Sequence, residues 1–194
     1  MIYPISAFSL YWPKIIEEMS AENKIVQKDS DVESQLLDIR AFPPESFDRI
    51  VLDPPCSALG LRPKLQMFRP SSKPALRALV KYSEYQKRLI DAAVQLLKPD
   101  GTLTYSTCTI SSMENEEMVK YMIDNFSSVL ELQPINLKLG SAGLAVGPWN
   151  ADSSVSTPPI LTDFERSCVR RFDPSDRHAD TMGFFLAKFR KKPQ

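Results

Sequence analysis

Glycine is scarce: the 194 residues include six, and the first is Gly60. The stretch before it therefore lacks any Gly-rich turn of the kind that wraps a nucleotide phosphate or pyrophosphate. Histidine is scarcer. The single one, His178, excludes a His-rich metal centre, and a Ser-His-Asp triad survives only if the polar loop around His178 supplies it. Three cysteines, odd in number and widely spaced, do not make a secreted disulfide framework. Net charge is also absent, 24 Lys and Arg against 24 Asp and Glu, so the total does not point to a polyanion partner. No basic region opens the N-terminus, and Pro4, Pro13 and Lys14 interrupt its apolar stretch, so neither a signal peptide nor a membrane span is expected. What remains is ordinary globular composition, with 43% hydrophobic and 25% charged residues. The expectation is one monomeric domain without metal in a reducing compartment, cytoplasmic or nuclear.

Residues 1–46 read as a poorly defined lead-in. Pro13 can open a short helix, Asp29 to Asp38 is acidic and weakly periodic, and residues 1–50 carry nine acids against five bases. Organisation sharpens at Phe47. Ile50-Val51-Leu52 is a buried strand stopped by Pro54 and Pro55. An amphipathic helix is predicted over 83–98, capped by Ser83, with Tyr85, Leu89, Ala93, Leu96 and Leu97 on one face and Pro99-Asp100-Gly101 at its end. Thr102 to Ser106 is a second strand, and a capping box of Ser111 and Glu114 precedes a helical stripe from Met118 to Phe126. Residues 139–160, rich in Gly, Ser, Ala and Pro, predict a long mobile loop. Thr162 and Glu165 form a second capping box, opening a helix to about Phe172, and Met182 to Arg190 is a final strand. Strand and helix alternate, so the fold class is α/β with a parallel sheet.

Charge is unevenly spread. From Arg62 to Arg88 there are eight bases and one acid, Glu84. Such a segment is either a solvated loop and helix face or a phosphate-contacting surface.

Two cysteines occupy equivalent places. Cys56 follows the first strand in Asp53-Pro54-Pro55-Cys56-Ser57, and Cys108 follows the second in Tyr105-Ser106-Thr107-Cys108-Thr109. Ligands of open α/β sheets bind outside the carboxyl ends of the strands, so Asp53, Cys56 and Cys108 can converge on one crevice. Cys168 has no such context and is expected to be structural. A thiol beside a carboxylate suits pyrimidine chemistry. C5 of the ring is a poor nucleophile, but a thiolate adding at C6 creates an enamine whose C5 attacks an electrophilic methyl group. A carboxyl group at N3 stabilises that adduct, and a second base or thiol near C5 assists elimination.

The two cysteine motifs resemble the paired signatures of the Nop/Sun (RsmB-type) RNA cytosine-C5 methyltransferases. Leu96 to Gly101, Ser112-Met113-Glu114-Asn115-Glu116 and Asp180 to Ala187 are similar to further family segments, so the likeness covers roughly 45–126 and 164–190. Ser46-Phe47-Asp48-Arg49, Leu61-Arg62-Pro63 and Arg171-Phe172-Asp173-Pro174 are most similar to the sixth Sun-type subgroup, which modifies tRNA. The resemblance implies a partial Rossmann-like S-adenosylmethionine-dependent methyltransferase sheet with flanking helices and a terminal antiparallel strand. It implies Cys108 as the C6 nucleophile, Cys56 as the residue assisting release, and Asp53 contacting the cytosine. Asp53 and Pro54 would lie beside the S-adenosylmethionine, and Arg62, Lys64, Arg69 and Lys73 would face the RNA. Ala58 stands where the family has Gly, at a turn that favours positive φ. The family's cofactor half needs several βαβ units of ~30 residues or more, whereas 46 residues precede Phe47. The chain is therefore expected to be the C-terminal half of such an enzyme, with 47–194 catalytic, 1–46 a remnant, and the cofactor pocket incomplete.

Three other readings stand beside it. One is a non-catalytic RNA-binding or regulatory remnant using the Arg62–Arg88 patch. Another is an adenine-N6 methyltransferase, although its Asp-Pro-Pro motif wants an aromatic residue where Cys56 stands. The last is a thiol redox protein, although no Cys-x-x-Cys occurs.

Overall fold

The computed structural model describes residues 42–61, 73–147 and 158–193. The candidate helix at Pro13, the acidic run 29–38, and Arg62, Lys64 and Arg69 lie outside the described residues, as does the middle of the 139–160 loop.

Strand β1 (Phe47–Leu52) leads to helix α1 (Lys73–Leu96), strand β2 (Leu97–Thr107), a 3-10 turn (Ser112–Glu114) and helix α2 (Glu116–Phe126). Then come β3 (Leu130–Gln133), the short α3 (Asp163–Cys168), β4 (Arg170–Phe172) and β5 (Phe184–Lys191). The sheet order is β1-β2-β5-β3, with β4 also paired to β5. β1 and β2 are parallel, as a strand-helix-strand crossover requires, while β5 runs antiparallel to β2, β3 and β4. The expectation of a terminal antiparallel strand holds. The expected parallel sheet is limited, among the described residues, to the β1–β2 pair, because β5 enters between β2 and two short strands and turns the rest antiparallel.

Register explains the core. Ile50 pairs with Leu103 and Leu103 with Phe189, while Leu52 pairs with Tyr105 and Tyr105 with Ala187. These side chains share one face of the pleat, and all are buried. Leu89, Ile90, Ala93 and Val94 of α1 join Met118, Val119 and Met122 of α2 in the same cluster. Apolar residues at three- and four-residue spacing supply both stripes.

Several predicted boundaries shift for identifiable reasons. The helix predicted from Ser83 begins at Lys73. Ser83 lies in its middle, where its hydroxyl donates back to the Leu79 carbonyl at 3.2 Å and across to the Met113 carbonyl at 3.1 Å. Ser111 makes no capping bond, and Glu114, its expected partner, is buried elsewhere. The Thr162–Glu165 box is present with both bonds, 2.8 and 3.3 Å. Its helix stops at Cys168 rather than Phe172, because Arg170–Phe172 pairs with β5. Cys168 is buried, as a structural cysteine should be. Within the predicted loop, Ser141, Gly143 and Val146 are pinned by backbone hydrogen bonds to Arg171, Arg166 and Ile160.

Candidate active site

The parallel β1–β2 pair ends with Leu52 opposite Tyr105, and the chain leaves both strands at the same end of the sheet. Asp53 to Leu61 follows one strand, and Cys108 to Ser111 follows the other. The thiols of Cys56 and Cys108 meet there, with their sulfur atoms 3.2 Å apart. Both cysteines are free and half-buried. Asp53 stays exposed, and one of its carboxylate oxygens accepts the Ser106 hydroxyl at 3.1 Å. Pro54 is buried behind it. The structure thus brings Cys56 and Cys108 together, and it bonds Asp53 to Ser106, two residues before Cys108. Burial, reinforced by the hydrogen bond to Cys108, pushes the Cys56 thiol up to about 12. At neutral pH Cys56 is a protonated thiol, able to give a proton and unable to attack as a thiolate.

The Cys56 loop is held by atoms from several elements. Glu114 is fully buried, and its carboxylate accepts the Ser57 amide at 2.8 Å, the Ser57 hydroxyl, and the Gln86 side-chain amide at 3.1 Å. The same Gln86 nitrogen donates to the Pro55 carbonyl at 3.0 Å. The Ser57 and Thr109 hydroxyls lie 2.8 Å apart, joining the residue after one cysteine to the residue after the other. Tyr105 donates its hydroxyl to the Glu114 carbonyl at 2.6 Å. Burial, and then the Glu114 charge, hold that phenol well above its ordinary range, so it remains a donor. Burial also raises the Glu114 carboxyl, against the hydrogen bonds from Ser57 and Gln86 that lower it.

A second buried acid, Glu116, takes a two-pronged contact from Arg171 at 3.0 and 2.9 Å. The Leu144 amide donates to it at 2.9 Å, while Arg171 also donates to the Ile110 carbonyl at 3.0 Å. β4 and the 141–146 segment are thereby tied to the chain just beyond Cys108.

Sequence reasoning missed Glu114, Gln86 and Arg171 as parts of the site. The sequence marks Glu114 as half of a capping box with Ser111 and gives Gln86 no distinguishing signal. The available signal was Glu114-Asn115-Glu116, two acids in a row of three immediately before an apolar helix. Lys73 begins α1, but its side chain lies outside the described atoms. Among the described residues no group of three His, Cys, Asp or Glu side chains could hold a metal, and no helix is long and apolar enough to cross a membrane.

The 16S rRNA methyltransferase RsmB/F family matches residues 14–190, which takes in both cysteine motifs and extends upstream of the first. The chain belongs to the RsmB/F methyltransferase family. This RsmB/F chain is 41% identical over 155 residues to the rRNA (cytosine-C(5))-methyltransferase NOP2C of Arabidopsis thaliana, covering 80% of this chain and 24% of that protein. It is 38% identical over 160 residues to the tRNA (cytosine(72)-C(5))-methyltransferase NSUN6 of Homo sapiens, covering 77% of this chain and 33% of that one. The crystal structure of NSun6 from Pyrococcus horikoshii with SFG superimposes with a TM-score of 0.56 at 34% identity, over 87% of this chain and 34% of that chain. The RsmB/F chain thus spans a quarter to a third of the length of these curated relatives.

Proposed function

We propose that this chain carries the catalytic end of an RNA cytosine-C5 methyltransferase that uses S-adenosylmethionine, with tRNA as the first candidate substrate. The observation that carries the proposal is the pair of free thiols 3.2 Å apart beside an exposed aspartate at the ends of two parallel strands. Relatives named as rRNA and as tRNA cytosine-C5 methyltransferases support the reaction class. The subgroup-like segments Ser46 to Arg49 and Arg171 to Pro174 favour tRNA.

Cys108, as thiolate, adds to C6 of an unstacked cytosine, and the ring's electron pair moves to C5. Asp53 shares a proton with N3 and so stabilises the adduct. C5 then takes the methyl group and becomes a saturated carbon bearing both methyl and hydrogen. Transfer of that C5 proton to a base from solvent breaks the C6–S bond, restores the ring double bond and frees the Cys108 thiolate. Cys56, protonated and hydrogen-bonded to the Cys108 sulfur, assists this release by offering its proton to the departing thiolate.

The described residues fit one side of a cofactor site. Asp53 offers an exposed carboxylate and Pro54 a buried wall where β1 ends, next to the thiols. When bound there, S-adenosylmethionine supplies a sulfonium methyl electrophile. The relative solved with SFG, an S-adenosylmethionine analogue, supports that assignment. Arg62, Lys64, Arg69 and Lys73, in the basic segment, are proposed to contact RNA phosphates, a sequence-independent role.

The test is methyl transfer from labelled S-adenosylmethionine to unmodified tRNA and small-subunit rRNA transcripts. Label in cytosine-C5 is expected with the native chain, none with Cys108→Ala, and a protein–RNA adduct stable to denaturant with Cys56→Ala. Full transfer by Cys108→Ala would overturn the assignment. RNA binding without any label or adduct would replace it by the RNA-binding alternative.

A further inference from the structure

Strand pairing does not set the distance between the two thiols. The β1–β2 ladder ends at Leu52 and Tyr105, three or more residues before either cysteine. Cys108 lies one residue beyond Thr107, which is still paired with Phe185 of β5. The Cys108 end is thus anchored in the sheet. Cys56 instead sits in an irregular loop that has left the ladder, and its place depends on what that loop is bonded to.

The Gly60 amide and the Ser57–Thr109 hydroxyl pair tie that loop to the Cys108 segment, and its remaining side-chain bonds centre on Glu114. Glu114 receives the Ser57 amide at 2.8 Å, the Ser57 hydroxyl, and Gln86 at 3.1 Å, and Gln86 in turn holds the Pro55 carbonyl at 3.0 Å. The residues on both sides of Cys56 are therefore fastened to a buried carboxylate from the far side of the sheet end. Proton directions are consistent. Thr109 donates to the Ser57 hydroxyl, which donates to Glu114, while the two Gln86 amide hydrogens serve Pro55 and Glu114. Every donor in the cluster has an acceptor, and the carboxylate takes three of the bonds. Glu114 itself is fixed by Tyr105, whose hydroxyl holds its backbone carbonyl at 2.6 Å.

The geometry points to Glu114 as a positioning residue, which through Ser57 and Gln86 holds the Cys56 thiol against Cys108 and so controls the release step selectively. The inference rests on the proposed roles of the two thiols. Its consequence is directional. Removing the carboxylate loosens the Cys56 loop around Ser57 and leaves Cys108 anchored beside its strand, so addition to cytosine continues while release slows.

The experiment compares the native chain with Glu114→Ala, Glu114→Gln and Ser57→Ala, using unmodified tRNA transcript and S-adenosylmethionine. Turnover and the fraction of protein locked to RNA under denaturing conditions are read together. Glu114→Ala is expected to lose at least tenfold in turnover at unchanged KM for RNA, with the adduct fraction rising toward that of Cys56→Ala. Glu114→Gln should recover part of the turnover, because its carboxamide oxygen still accepts from the Ser57 amide. Ser57→Ala, which keeps that amide, should show a smaller change of the same sign, and it decides the matter should Glu114→Ala fail to fold. Cys56→Ala that traps RNA while Ser57→Ala and any folded Glu114 variant trap no more than the native chain would overturn the positioning role alone. Absence of any adduct, even in Cys56→Ala, would instead remove the thiol mechanism on which it rests.

Discussion

At the scale of single residues, Cys56 and Ala58 make the sharpest statements. Burial and the neighbouring thiol raise Cys56 to about 12, so little thiolate is present at pH 8. Alkylation of Cys56 by iodoacetamide at pH 8, followed by peptide mass spectrometry, should be much slower than that of a free cysteine. Labelling as fast as a free cysteine would contradict the burial of that thiol. Ala58 adopts a φ of 54°, in the left-handed region that its Cβ disfavours by ~1–2 kcal/mol. Ala58→Gly relieves that strain and gives back ~0.5–1 kcal/mol through the greater freedom of the unfolded chain. A net gain of about 0.5–1 kcal/mol in urea unfolding is expected, and a loss would contradict it. Both residues were legible in the sequence: the cysteines because each lies within four residues of the end of a β-prone run, and Ala58 because the resembled family has Gly there. Glu114 and Gln86 were not. They lie 57 and 31 residues from the loop atoms they hold, and nothing local to either signals the contact.

At the scale of elements, the periodic segments were legible and the short paired ones were not. The apolar stripes of α1 and α2 and the runs at β1, β2 and β5 have strong local patterns. β3 has only Leu130 to Gln133, and Arg170–Phe172 follows a helix without a breaking residue; both exist because β5 offers hydrogen-bonding partners. The Ser83 misreading has the same origin. Serine is a common cap, but here its hydroxyl finds the Leu79 carbonyl one turn back. Two buried charges weld elements together. Arg171 joins β4 to Glu116 at the start of α2, and cutting such a pair leaves an uncompensated buried charge at a cost of about 3–5 kcal/mol. Arg171→Ala should therefore unfold at markedly lower denaturant, whereas Arg190→Ala, losing an exposed pair with Asp100, should shift the midpoint little. Lys191 of β5 donates to the Leu97 carbonyl at 2.7 Å and the Val94 carbonyl at 3.3 Å, satisfying the free carbonyls where α1 ends.

At the scale of the whole molecule, the last strand and the first cysteine loop close on each other. The Gly60 amide donates to the Cys108 carbonyl at 3.1 Å, and the Gly183 amide donates to the Gly60 carbonyl at 2.9 Å. A Cβ added at Gly60 would lie 2.5 Å from the Gly183 carbonyl oxygen. Gly60→Ala should therefore push the entry to β5 away from the cysteine loops, costing about 1–3 kcal/mol of stability and slowing methyl transfer. Unchanged stability would show that the two segments do not meet. Such closure, between residues far apart in the chain, had no local signature beyond the glycines themselves. The measurement that bears most directly on the central claim uses tRNA transcript carrying 5-fluorocytidine, together with S-adenosylmethionine. Once methylated, a fluorinated C5 has no proton to lose, so the nucleophile stays bonded to C6. Peptide mass spectrometry of the trapped product is expected to find RNA attached at Cys108. Attachment at Cys56, or no covalent product at all, would contradict the assignment of the two thiols.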